Sequence, residues 1–259
     1  MTGFRLVWIF VLAALFASCA GSGDHGEVVV KVTDYRDRLL AHYEYDENDK
    51  LRKRTYTHPE TKAFSELIFH YDNDRVSRVD FVDHTAADLS GEKRFVYDLQ
   101  GKVVQVQTYA NGRVQGTFEL NYSPEGRVVS TNLPGRAPTT FYEYDERGNV
   151  VKTTMYYENS EGELFEKVLN FTYDTLPKPN FGFDFLPGME MLPKSGTNSN
   201  WEQSLSQNNM LSEGFAGNVY VHYTLEYDDE NRLSTITTKW KDMETRTPTI
   251  LRIAYGGTR

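Results

Sequence analysis

From about residue 28 onward, large apolar side chains recur at every second position in short runs, each run broken by a polar reversal, as in FYEYDERGNVVKTTMYYEN at 141 to 159. A period of two sends successive side chains to opposite faces of an extended strand. Gly, Asn or Asp between the runs supplies the positive φ that a tight reversal needs. The pattern predicts antiparallel strand pairs joined in series.

The reversals are marked. Tyr-Asp stands at 45 to 46, 71 to 72, 97 to 98, 144 to 145, 173 to 174 and 227 to 228, with Tyr122-Ser123 and Tyr255-Gly256 as degenerate members. Successive tyrosines lie 26, 26, 25, 22, 29, 54 and 28 residues apart, so the long gap spans two periods and one repeat has been replaced. Two positions before each tyrosine stands an apolar residue: Tyr43, Phe69, Phe95, Leu120, Tyr142, Phe171, Leu225 and Ile253. The eight tyrosines Tyr45, Tyr71, Tyr97, Tyr122, Tyr144, Tyr173, Tyr227 and Tyr255 therefore belong to an inward-facing repeat core. Eight hairpins make an all-β meander of about 14 to 16 strands. Neighbouring strands twist by about 20 to 25 degrees, so such a sheet curls into an open or closed barrel.

The pattern fails at 174 to 218. This stretch holds four of the nine prolines, with Phe181, Phe183, Phe185 and Trp201 among apolar residues that lack strand alternation. It is expected as an irregular insertion that either plugs the concave side of the sheet or forms a lid over a groove for a glycan, peptide or lipid.

At the N-terminus, Arg5 precedes the apolar run LVWIFVLAALF, small residues follow, and then comes Cys19, the one cysteine of the chain. The run is too short for a bilayer-spanning helix and has the form of a secretory h-region. The stretch FASC resembles the bacterial lipoprotein box, with Phe16 where that family more often has Leu. The resemblance implies a signal peptide over 1 to 18, acylation of Cys19, a polar tether over 19 to 27 and one domain over 28 to 259. The implied partner is a membrane, and the implied address is the bacterial envelope, with periplasmic and surface faces both open.

Composition narrows function mainly by exclusion. A formal charge of -9 on 259 residues, with no block of Lys and Arg, argues against nucleic acid. The acidic turns at 46 to 49, 72 to 74 and 228 to 231 lack the oxygen series of a calcium loop and are read as turn chemistry. His42, His70 and His222 fall on the outward face with no metal-ligand spacing. No GxSxG is present. No catalytic residue, metal or cofactor is expected.

Hairpins of the form YDxxGR in a short exported chain resemble the YD-repeat lipoproteins of Bacteroidota, related in motif to the longer RHS and teneurin repeats. YDTLPKPNFGF at 173 to 183 and SQNNM at 206 to 210 are similar to segments of a family of unknown function described as having a porin-like fold. The resemblance implies a β-meander without catalytic residues. The expected function is a non-catalytic binding or scaffolding module of the envelope. One alternative is a carrier of an apolar or glycan ligand beneath 174 to 218; another is a glycan hydrolase using outward carboxylates.

Overall fold

A computed structural model describes residues 27–257 apart from 87, 89, 138, 159–160, 184–185, 190, 193–199 and 242–247. Cys19, with the leader, and Phe185 lie outside the described residues. The strands run β1 (Val28–Asp34), β2 (Leu39–Tyr45), β3 (Leu51–Thr57), β4 (Phe64–Asp72), β5 (Arg75–Asp83) and β6 (Gly91–Tyr97). They continue with β7 (Val103–Ala110), β8 (Arg113–Tyr122), β9 (Val128–Asn132), β10 (Thr140–Tyr144) and β11 (Val150–Glu158). The last are β12 (Leu164–Pro177), β13 (Asn208–Phe215), β14 (Asn218–Tyr227), β15 (Leu233–Trp240) and β16 (Thr249–Gly256). A six-residue helix, α1 (Asn200–Leu205), precedes β13.

Every strand pairs antiparallel with its neighbours in sequence, and β1 pairs with β16, so the sheet closes into a barrel. The seam sets Val28 opposite Gly256 and Val32 opposite Ile253. Because the chain is a plain meander, the Tyr-Asp reversals, the start of β1 and the end of β16 all fall on one rim of the barrel.

Chemistry repeats with the sequence. Asp98 opens the β6–β7 reversal; its amide bonds the Lys102 carbonyl, and its Oδ1 accepts the Gln100 and Lys102 amides at 3.0 and 2.8 Å. Gly101 follows at φ 84°, and the register shifts by one between Val96 and Tyr97, as in a three-residue reversal with a bulge. Asp46, Asp145 and Asp228 act alike. The β1–β2 reversal at the opposite rim repeats this with Asp34 and the Arg36 and Arg38 amides, under a Thr33-Asp34 pair that the Tyr-Asp pattern does not mark.

Inward side chains fill the barrel. Val29, Val32, Leu51, Phe69, Val106, Val150, Val221 and Leu251 are buried, each stabilising by about 1.5 to 3 kcal/mol relative to exposure. The outward face of β2 to β6 carries ion pairs instead. Lys53 bridges Glu44 and Glu66 at 2.8 and 3.5 Å, His84 meets Glu66 at 2.8 Å, and His70 and Arg78 meet Asp80 at 2.7 and 2.9 Å. Strands β4, β5, β8, β11 and β14 have nine or ten residues, so length alone does not set them apart from membrane-spanning strands. For β4 and β5 the charged outer face does.

The irregular segment is shorter than the sequence pattern indicates. Residues 174 to 177 complete β12 and 208 to 215 form β13, leaving 178 to 207 between strands. The pattern misses β13 because NNMLSEGF buries polar and small residues, Asn209, Ser212, Glu213 and Gly214, without apolar alternation.

Candidate functional site

Six of the eight repeat tyrosines donate their hydroxyls to a strand carbonyl one hairpin back. Tyr71 bonds Leu51 at 2.9 Å, Tyr97 bonds Val76 at 2.8 Å, Tyr122 bonds Val103 at 2.6 Å and Tyr144 bonds Val128 at 2.8 Å. Tyr255 bonds Leu233 at 3.0 Å, and Tyr45 bonds Val29 on the neighbouring strand β1 at 2.8 Å. Burial raises these phenols, Tyr122 to about 12, so they remain donors at neutral pH.

A cation accompanies five of these bonds. The residue just before each accepting Leu or Val lays its charge over the same tyrosine ring. Lys50 lies 5.6 Å from the Tyr71 centroid, Arg75 5.6 Å from Tyr97, Lys102 5.2 Å from Tyr122, Arg127 5.5 Å from Tyr144 and Arg232 4.8 Å from Tyr255. Each Lys/Arg-Leu/Val pair thus grips the tyrosine of the next hairpin twice, through the ring face and the hydroxyl. The hairpins are stapled laterally around the rim.

The staple lapses where the insertion enters. Asn149 stands in the cation position before Val150, and Tyr173 lies beside Ser206 without a hydrogen bond to any described atom. Tyr227 donates instead to Asp174, whose Oδ1 accepts the Asn209 amide at 3.0 Å. Asn149, wholly buried, turns toward the insertion's exit. Its Oδ1 accepts the Gln207 and Asn208 amides at 3.0 and 2.8 Å, and its Nδ2 donates to Asn208 Oδ1 at 3.0 Å.

The insertion lies against the inner wall. Phe181 is buried with its ring 5.4 Å from Tyr43, Phe183 is 5.8 Å from Phe69, and Trp201 meets Phe118 edge-on at 6.0 Å. Lys93 donates to the Gly188 carbonyl at 2.7 Å, Tyr43 to the Met191 carbonyl at 2.5 Å, and the Val29 amide to Asn180 at 3.0 Å. Helix α1 buries Glu202, and burial, reinforced by nearby Glu213, pushes its carboxyl up to about 7.

Above this segment the Tyr-Asp rim opens into a half-open cavity of about 850 Å³. Tyr71, Tyr97, Tyr122 and Tyr144 form its wall, and Phe183, Leu186 and Ser204 to Gln207 form its floor. Lys50, Arg75, Lys102, Arg127, Arg147 and Lys178 also line it. Burial lowers the Lys178 amine to about 8, and its Nζ donates to the Gln203 carbonyl at 3.0 Å. Among the described lining residues, Asp74, paired with Lys50, is the one carboxylate.

Of the residues singled out in the sequence, the structure thus gathers Tyr71, Tyr97, Tyr122, Tyr144 and Phe183 at one mouth. Phe181 packs deeper, and Trp201, Tyr45, Tyr173, Tyr227 and Tyr255 lie outside the lining. The sequence reading does not include the basic wall, although a Lys or Arg stands before the first apolar residue of five return strands. Among the described residues, no group of three or more His, Cys, Asp or Glu side chains is placed to share a metal ion. None of the described helices is long and apolar enough to cross a membrane.

The molecule is an all-β, sixteen-stranded closed barrel with an inserted segment and a rim cavity. No protein-family model matches the chain, and no curated protein matches it significantly. Among solved structures it is similar to a porin-like protein from Bacteroides uniformis, at 12% identity and a TM-score of 0.49, covering 83% of this chain and 89% of that one. A porin-like protein from Bacteroides vulgatus matches at 14% identity and a TM-score of 0.41, covering 89% and 100%. The TcdB2-TccC3-Cdc42 complex matches 83% of this chain but 12% of its own, at 12% identity and a TM-score of 0.32. Likeness at this level transfers no activity, ligand or location.

Proposed function

We propose that this protein is a non-catalytic binding module of the bacterial envelope, held to a membrane through acylated Cys19, and that it takes a glycan in the rim cavity. The observation that carries the reading is the half-open cavity of about 850 Å³. That volume lies within the usual range for small-ligand sites, about 300 to 1,000 Å³. Its polar and charged wall favours a glycan over an apolar cargo. A glycosidase needs two cooperating carboxylates, and Asp74 stands alone on the described wall, tied to Lys50.

The test is a glycan array probed with the full chain and with Gln207→Trp, which places a large ring at the cavity floor. Binding to array members that is lost in the variant supports the proposal. Absence of binding to every member, or equal binding by the variant, defeats it. Anchoring is tested separately by palmitate labelling, which should vanish in Cys19→Ala.

A further inference from the structure

The cations of the rim are arranged in an order that the tyrosine staple does not explain. A staple needs one charge over one ring, which accounts for Lys50, Arg75, Lys102 and Arg127 one at a time but not for Arg147 and Lys178. The mouth instead collects Lys50, Arg75, Lys102, Arg127, Arg147 and Lys178 around one cavity, in a chain whose formal charge is -9. Only Lys50 has a carboxylate partner in the described wall. Arg127 donates to the Asp145 carbonyl at 3.3 Å, a neutral acceptor. Asp46, Asp98 and Asp145 stand in the same reversals outside the lining, where their carboxylates accept turn amides. A half-enclosed cavity with protein walls concentrates the field of such charges.

Their spacing is informative. Lys50, Arg75, Lys102 and Arg127 belong to four successive hairpins, so each stands two strands from the next, about 9.5 Å along the rim. They form an arc rather than converging on a point, an arrangement suited to charges distributed along an extended ligand. The closed barrel offers an acidic peptide no strand edge to pair with. A single-stranded nucleic acid needs open aromatic faces for its bases, whereas these tyrosine rings already lie beneath cations.

Resting on the glycan reading above, we infer that the ligand is an acidic oligosaccharide, one carrying carboxylate or sulfate groups along its length, laid across the arc from Lys50 to Arg147.

The experiment is calorimetric titration of the full chain with a tetragalacturonate, its fully methyl-esterified counterpart, a sulfated oligosaccharide of equal length, a poly-glutamate peptide and a single-stranded DNA oligonucleotide. At least one acidic oligosaccharide should bind one to one, the neutral ester at least tenfold more weakly. The acidic affinity should fall about tenfold between 50 and 300 mM salt. Arg147→Gln, which removes a charge from the arc but covers no ring of the staple, should weaken binding by about three- to tenfold with an unchanged thermal midpoint. Lys102→Arg, which keeps the charge, should bind as the parent does. Equal binding of the ester overturns the acidic class and leaves a neutral-glycan module standing. Tighter binding of the peptide or DNA overturns the class as well. Binding of none of these probes, together with a blank glycan array, overturns both proposals.

Discussion

Tyr97 donates its hydroxyl to the Val76 carbonyl at 2.8 Å, from the end of one hairpin to the return strand of the one before it. Arg75, the residue preceding Val76, covers the same ring. This two-point grip is the repeat's structural unit, and its members are separable by mutation.

Tyr97→Phe should lower stability by about 0.5 to 1.5 kcal/mol, the usual net worth of one hydrogen bond. Tyr173→Phe should be neutral or stabilising, because its hydroxyl is buried without a partner. Denaturant unfolding of the two variants checks the contrast; equal losses would contradict a staple that lapses at the insertion.

Asn149→Ala removes the acceptor of two backbone amides at the insertion's exit together with a bond to Asn208. Leaving such groups unpaired in a buried place should cost about 2 to 4 kcal/mol. Asn149→Lys would restore the basic residue of the other turns and should still destabilise, since the position is wholly buried. Thermal midpoints of both variants test this.

Phe181→Ala should destabilise by about 3 to 5 kcal/mol, as expected for emptying a buried aromatic site against Tyr43. Limited proteolysis should then cut first within 178 to 207. A variant cut elsewhere first, with unchanged stability, would show that the segment does not depend on this anchor.

Glu202 makes stability depend on pH. Its folded value is raised by burial from 4.5 to about 7, so the native state holds its proton more tightly than the unfolded chain does. Its contribution is complete below pH 4.5 and is lost as pH rises to 7, by roughly 3 kcal/mol in all. Glu202→Gln should flatten the stability profile across that window and be the more stable protein at pH 8. Chemical denaturation at pH 5, 6, 7 and 8 measures the slope.

The barrel was legible because its determinants are local. Alternation, the Asp at the head of a reversal and the positive-φ residue inside it act within a dozen positions, and Tyr144-Asp145 shows all three. The first reversal escaped because Thr33 replaces the tyrosine while Asp34 keeps the turn. The strand after the insertion escaped because Asn209 and Glu213 look solvent-facing in sequence, yet both are buried and the partner of Asn209, Asp174, stands before the insertion. The rim cations were visible one by one. Their arrangement around one mouth depends on the curl of the sheet, which sets residues from 50 to 178 around one opening. Glu202 carries no local sign of burial, since only the docking of α1 removes it from water.

The seam between β1 and β16 joins the two ends of the described chain, Val28 lying opposite Gly256. During synthesis the barrel cannot shut until its last strand has emerged, and every partial chain carries two open strand edges. Such edges pair readily with those of other chains. A ribosome-arrested or proteolysed product lacking β16 is therefore expected to self-associate, which gives quality-control machinery a reason to hold the nascent chain until the seam is complete.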